Sequence, residues 1–482
     1  MTSLVAAIVF ILYVLYLFRQ DVKANPDASG GLWVPIAWMF FAGSRYLSSW
    51  ISLSAPGSSV DSYNEGSPID RTLFLALILA ALMVLRRRHV DWQALFARNK
   101  LFVAYLVYCA ISASWSDEPL ISFKRWIKDL GNPLMALVIL TDPDPVRAIG
   151  LLLRRLSYLL LPFSVLFLKY YPELGRDYHA DGSPMYTGIG HQKNALGQMC
   201  LIAGIYFAWQ VLQDRERYLA WTRSQRVHLW VLAGMMTWLL YMSNSQTSLS
   251  CLVVAAAVLA STRLPYLRAD PSRVVGLVVL AAAAYLALET AFDVKLQILA
   301  LLGRDPSVTG RTDLWAKLIR FPTNPVVGSG FMSFWSGERL AQIWNDVARG
   351  ILQAHSGYLE QYLNLGYIGV SFMAALIAQA TYRARKLLKT EPSLAILRLS
   401  FVLAAVFYNY TEAAFYGVNN MWVLTLLGLL DVQAPAPRVA RNATPQPFPA
   451  RRPVSFRPRH SRVPETDSAP HRRRALPFKK TR

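Results

Sequence analysis

Two arginines set beside glycine, and one histidine, interrupt an otherwise lipid-loving chain. They occur in Gly303-Arg304-Asp305-Pro306, Gly310-Arg311-Thr312-Asp313-Leu314-Trp315 and Ala354-His355-Ser356-Gly357-Tyr358-Leu359-Glu360, all within the polar stretch 292–363. Arginine's planar fork pairs two phosphate oxygens at once through charge-assisted bonds, so Arg304 and Arg311 together suit a diphosphate. Negative charge grows on such a group as it leaves, and donors aimed there stabilise the transition state more than the ground state. An imidazole, with an ordinary pKa of about 6.5, can take the proton of an attacking hydroxyl at neutral pH, which is the chemistry open to His355. The plainer readings stay open beside these: an arginine that caps or salt-bridges its own loop, and a histidine held by structural hydrogen bonds. Glu360 either orients His355 or is the polar end of the next helix.

What positions these residues follows from composition. The chain has 482 residues, 54% of them hydrophobic and only 16% charged, and its mean hydropathy is positive. It is too apolar for a soluble enzyme of this length, and many of its runs are able to enter a hydrocarbon core of about 30 Å. The expectation is an all-α polytopic membrane protein. Apolar runs fall near 4–18, 32–51, 72–85, 101–114, 126–140, 156–170, 195–211, 228–242, 248–260, 274–292, 363–382, 395–407 and 415–430, giving about 12–13 spans. Several are shorter than about 17 residues and must borrow flanking aromatics or neutral polar residues to reach across. Cys109, Cys200 and Cys251 all sit inside such runs, which indicates core packing rather than disulfides or a metal cluster.

The net charge of +21 is concentrated rather than spread. From Val432 onward there are thirteen Lys or Arg against only Glu465 and Asp467, in a Pro- and Arg-rich tail without helical periodicity. That reads as a disordered cytoplasmic anchor touching anionic lipid, with nucleic-acid binding the weaker alternative. The basic connections Arg86-Arg87-Arg88, 215–226, 263–273 and 383–389 fall on the tail's side when the spans are counted. The first run has Arg19 and Lys23 after it and no basic residue before it, so its start is expected outside and it does not read as a cleaved leader. The expected organisation is a first bundle of about ten helices over 1–292, a periplasmic loop over 293–362, C-terminal membrane helices over 363–431 and a basic tail over 432–482.

Further polar residues lie at outward ends. Lys193, beside His191 and Asn194, is a candidate third cation for a phosphate, against ordinary snorkelling at the interface. Arg176 is a weaker candidate of the same kind. Glu412, near Asn409, suits either an acceptor sugar or the capping of a tight helical hairpin. Thr312 reads as the amino-terminal cap of a short helix carrying Trp315, Leu318 and Ile319, which would set Arg311 just ahead of an anion-attracting helix start. There is no nucleophile elbow, no phosphate loop with Lys before Ser or Thr, and no His-Glu-x-x-His pair, so neither a metal nor a cofactor is implied.

Gly310-Arg311-Thr312 with Leu314-Trp315, then Pro325-Val326-Val327-Gly328-Ser329-Gly330-Phe331, the Ala354-to-Glu360 run and Leu365-Gly366-Tyr367-Ile368-Gly369 together resemble the O-antigen ligase and polymerase family. Gly188 to Asn194, Asn409-Tyr410-Thr411-Glu412 and the amphipathic stretch from Ser122 to Asp129 add to the likeness, which is most similar to exopolysaccharide polymerases. The resemblance implies a GT-C-like, metal-independent, inverting membrane glycosyltransferase of the bacterial inner membrane, with its active site facing the periplasm. Its implied donor is an undecaprenyl-diphosphate-linked glycan and its second substrate an acceptor saccharide, with polysaccharide-assembly proteins as further partners. Arg311 then grips the lipid diphosphate and His355 acts at the acceptor hydroxyl. Where the family usually has asparagine after the histidine this chain has Ser356, so no role of that asparagine carries over. An O-antigen ligase that joins glycan to lipid A core is the nearest alternative. A secondary transporter or flippase is a further one, disfavoured because no internal repeat is visible.

Overall fold

In a computed structural model the protein is described over residues 2–52, 66–178, 182–213, 218–219, 221–270, 273–274, 276–277, 280 and 311–432. Its first half holds α1 (Ser3–Ala24), α2 (Trp33–Gly43), α3 (Pro68–Arg87), α4 (Trp92–Arg98), α5 (Lys100–Ser112), α6 (Pro119–Asp129), α7 (Gly131–Leu140) and α8 (Pro145–Tyr170). A short antiparallel hairpin follows, β1 (Arg176–Tyr178) with β2 (Pro184–Tyr186), in which Arg176 pairs with Tyr186. Then come α9 (Lys193–Leu212), α10 (Arg223–Ser243), α11 (Gln246–Ser261), α12 (Arg311–Ile319), α13 (Gly337–Asp346), α14 (Gly357–Leu387), α15 (Pro392–Thr411) and α16 (Asn420–Leu429). Arg304, most of the apolar run 274–292 and the tail beyond Val432 lie outside the described residues.

This is an all-α polytopic membrane protein. Among the described residues α1, α3, α8, α9, α14 and α15 are long and apolar enough to cross a bilayer. Two consecutive helical stretches, Trp92–Arg98 and Lys100–Trp115, bent by 92° to each other, make a seventh span if taken as one. Gly30–Gly43, α11 and α16 are apolar but shorter, which accounts for three of the expected runs, and the run 274–292 lies mostly outside the described residues. Proline opens α3, α6, α8 and α15, where its missing N–H costs nothing. Asp91, Thr222, Ser245, Ser356 and Asn419 start other helices with a side-chain oxygen on a free N–H, and Asp144 does the same for α8. The apolar windows of α1 and α3 are only 17% and 22% buried, against 78% for α9 and 72% for α15. The first pair therefore forms a lipid-facing rim and the second the centre.

One expected span is divided. The run 126–140 is two helices, α6 and α7, because α6 is amphipathic and bonds along its length to a loop: the Ser122 hydroxyl donates to the Phe331 carbonyl at 2.6 Å and Arg125 to that of Met332 at 2.5 Å. α7, at ten residues, is about 15 Å long. It packs with α2 and α16 through contacts only small residues allow, since a Cβ on Gly131 would meet the Trp38 ring at 2.0 Å. Trp38 Nε1–H donates to Asn132 Oδ1, and Asn132 Nδ2–H to the Gly417 carbonyl, so this polar seam is paired inside the bundle.

The helix ends sort into two groups. At one end Arg88 pairs with Asp142, Arg154 and Arg155 with Asp21, Arg383 with Asn99 and the Leu429 carbonyl, and Arg398 with the Leu427 carbonyl. At the other end the start of α9 meets the end of α15, where Asn194 bonds Glu412, and Thr411 shares a 2.6 Å hydroxyl contact with Thr247 at the start of α11.

Segment 325–336 is inlaid among α5, α6 and α14 rather than looping freely. α14 is broken at Gly366, whose φ of 63° and ψ of −163° suit only glycine and where a Cβ would lie 2.2 Å from the Val326 carbonyl oxygen. The N–H groups freed by the break go to Pro325 and Val326, at 2.9 and 3.2 Å. The carbonyls of Leu363 and Asn364 accept from the N–H groups of Ser329 and Gly330, and that of Leu365 from the Tyr108 hydroxyl at 2.9 Å. The Pro325-to-Phe331 and Leu365-to-Gly369 motifs are thus the two halves of one joint, held by these backbone bonds.

Candidate functional site

Glu412 is the centre of the site. It follows the last residue of α15 in an extended conformation, and its side chain is only 5% exposed. Its Oε1 accepts from Arg311 Nη2 at 2.9 Å and from Asn194 Nδ2 at 2.7 Å, while Oε2 lies 3.5 Å from His355 Nδ1. Its backbone carbonyl accepts from the Gly357 N–H at 2.9 Å. One carboxylate therefore ties together the starts of α9, α12 and α14. Arg311 and His355 keep 25% and 30% of their side chains exposed, so the cation and the imidazole face outward while the acid that orders them stays inside.

Local chemistry explains the convergence. Asn409 donates to the Ala405 carbonyl and accepts from the Ala414 N–H at 2.7 Å, which turns the chain sharply after α15 and delivers Glu412. Gly357 must be glycine, because a Cβ there would sit 2.0 Å from Asn409 Oδ1. His355 is left-handed, with φ at 51°, and this turn swings its ring toward Glu412 just before α14 begins. Ser356 caps α14, its hydroxyl accepting from the Leu359 N–H. Trp315 Nε1–H donates to the Ala354 carbonyl at 2.7 Å, and the ring stands edge-on to Tyr410, which fixes α12 against the histidine turn. Arg311 is already helical, so Thr312 lies within α12 rather than capping it.

Glu360 lies in the first turn of α14, the second of the two places expected for it. It is fully buried, and its carboxylate accepts from Trp335 Nε1 at 2.9 and 3.0 Å, from the Ala354 N–H at 2.5 Å and from Asn364 Nδ2 at 3.1 Å. Its partners are thus Trp335, Ala354 and Asn364 and not the His355 ring. It anchors the strand before the histidine, because five residues of a turning chain carry it to the inner face. Glu412 is instead the acid within reach of the His355 ring, with only 5% of its side chain exposed.

The remaining candidates are spread around this centre. Lys193 opens α9 next to Asn194, and among the described residues its ammonium has no hydrogen bond or ion pair. His191 is exposed and stacks on Tyr46 with ring centres 6.5 Å apart. Arg176 is spent on structure, donating to the Leu168 carbonyl and lying over the Tyr186 ring. Asn194 and Trp315 are site residues that sequence reasoning did not single out. Each lies beside a residue that was, at Lys193 and in the Arg311 motif, and adjacency was the only signal available. Among the described residues no three His, Cys, Asp or Glu side chains converge as metal ligands.

Comparison with known proteins matches residues 231–374 to a family described as O-antigen ligase. That stretch includes Arg311 and His355 and ends before Glu412. The exopolysaccharide production protein ExoQ of Rhizobium meliloti (strain 1021) is 26% identical over 305 residues, which takes in 60% of this chain and 66% of that relative, just under two thirds of its length.

Proposed function

We propose, from the match to the O-antigen ligase family over residues 231–374 and the likeness to an exopolysaccharide production protein, that this chain is a membrane glycosyltransferase that moves a glycan from undecaprenyl diphosphate onto an acceptor saccharide, as a polymerase of surface polysaccharide. The observation that carries this reading is the meeting of Arg311 and His355 on Glu412. Arg311 binds the diphosphate, exchanging part of its bond with Glu412 for phosphate oxygens, with Lys193 and Arg304 adding positive charge. His355, with Nδ1–H turned to Glu412 Oε2, has Nε2 left to accept the acceptor's hydroxyl proton. The freed oxygen attacks the anomeric carbon from the side opposite the diphosphate. The carbon–oxygen bond to the diphosphate breaks with its electron pair leaving on phosphate, and the configuration inverts. Arginine supplies the charge neutralisation, with no metal ion in the scheme.

The sorting of helix ends supports an orientation in the inner membrane with the basic end cytoplasmic and the site end periplasmic. The exopolysaccharide role printed for the relative favours a polymerase over a ligase acting on lipid A core. A deletion strain that accumulates lipid-linked single repeats supports the polymerase, and one that accumulates finished but unattached chains supports the ligase.

The decisive experiment is His355→Ala in lipid nanodiscs, with donor binding and single-turnover transfer measured with and without chelator. Turnover is expected to fall roughly 100-fold to 10,000-fold with donor binding largely kept. Normal turnover removes the base, a matching loss of donor binding makes His355 a diphosphate contact, and activity abolished by chelator overturns the metal-free scheme.

A further inference from the structure

At the end of the molecule away from Glu412, three neighbouring basic residues behave differently from one another. Arg88 turns inward, pairing with Asp142 at 2.8 Å and with the Ser29 hydroxyl at 2.8 Å. Arg86 and Arg87 are exposed and, among the described residues, have no acidic partner. His89, left-handed at φ 51°, closes the helix with its N–H on the Arg86 carbonyl at 3.1 Å. Met83, Arg86, Arg87 and His89 line one open cavity of about 400 Å³. The nearest acid in sequence, Asp91, is used at the start of α4, where it accepts from the Ala94 N–H.

The apolar side of this cavity continues along α3. Leu75, Leu79 and Met83 follow one another at four-residue spacing, so they form a single stripe, and they are 51%, 52% and 58% exposed. From Leu75 to Arg87 the helix rises roughly 18 Å, close to one leaflet's share of a hydrocarbon core about 30 Å thick. A stripe of that length ending in two exposed arginines and a histidine matches an acyl chain joined to a phosphodiester. Helix-dipole complementation alone would account for cations in the last turn, but not for their convergence with Met83 on one cavity. A zwitterionic lipid would bring its own cation to the same place, whereas an anionic one leaves the arginines its phosphate unopposed.

We propose that α3 holds one anionic phospholipid, its acyl chain along Leu75, Leu79 and Met83 and its phosphodiester among Arg86, Arg87 and His89. This site is independent of the reaction at Glu412.

The test is native mass spectrometry of the full-length protein exchanged into an equal mixture of phosphatidylglycerol and phosphatidylcholine. The wild type is expected to retain phosphatidylglycerol over phosphatidylcholine by on the order of tenfold. The double variant Arg86→Gln with Arg87→Gln should bring the ratio near one, while Lys23→Gln, an exposed cation at the same end of α1, should leave it unchanged. Excess inorganic phosphate should not strip the lipid, because the acyl stripe contributes to the hold. Four results overturn the proposal: no preference in the wild type, a preference that survives in the double variant, an equal loss in Lys23→Gln, or displacement by phosphate alone.

Discussion

Replacing Glu412 with glutamine removes one negative charge from a nearly buried position while keeping the size of the side chain. In the native site three donors point at this carboxylate: Arg311 and Asn194 at Oε1, and the His355 ring at Oε2. Glutamine offers one acceptor oxygen and one NH₂ group, so whichever way the amide turns, a donor faces a donor. A hydrogen bond to a charged group contributes about 1.5–3 kcal/mol, and the 25% exposure of Arg311 places its loss toward the lower end of that range. The folded protein should therefore survive with a modestly lower melting temperature. Turnover should suffer more, because cation and base lose their shared reference point together. A fall on the order of 100-fold or more is expected, equivalent to about 2.7 kcal/mol or more of transition-state stabilisation. Single-turnover transfer from lipid-linked donor in nanodiscs measures this directly. A cycle with Arg311→Ala adds a second reading, since residues acting through one contact lose less together than the sum of their separate losses. Turnover within a few-fold of wild type, or strictly additive losses, would refute the view that Glu412 organises the site.

Three further outcomes follow from the same geometry. Arg311→Lys should keep the charge but lose most activity, and Arg311→Ala should lose on the order of 100-fold or more, with normal insertion and yield; full activity in the alanine variant removes this residue from the mechanism. Gly366→Ala should cost about 3 kcal/mol or more, since it forces a side chain into a glycine-only conformation 2.2 Å from a carbonyl oxygen, and an unchanged unfolding temperature would show that the joint can open. In a variant without native cysteines, an impermeant thiol reagent should label a cysteine at the exposed position Glu338 in whole cells and miss one in the tail. Labelling of the tail reverses the orientation.

Composition and hydropathy along the chain were enough to establish an α-helical membrane protein, because lipid forces a spanning backbone to satisfy its own hydrogen bonds and leaves only long apolar helices as a solution. Motif chemistry picks out Arg311 and His355 as candidates, since few residue types suit a phosphate or a hydroxyl proton, and the fold brings both onto Glu412. Hydropathy went astray at the joint. The apolar run begins at Leu363, but α14 begins at Gly357 and is broken at Gly366, and both the start and the break depend on segment 325–330 lying across them. Glu360 looked like the histidine's partner because it is close in sequence. Glu412, 57 residues from His355, 101 from Arg311 and 218 from Asn194, is the partner in fact. Sequence spacing governs contacts only within a helix or a turn, over three or four residues. Which acid reaches which base across hundreds of residues was decided by the packing of α9, α12, α14 and α15, where Gly357, Asn409 and Trp315 leave one arrangement in which the backbone fits and the buried carboxylate is paired.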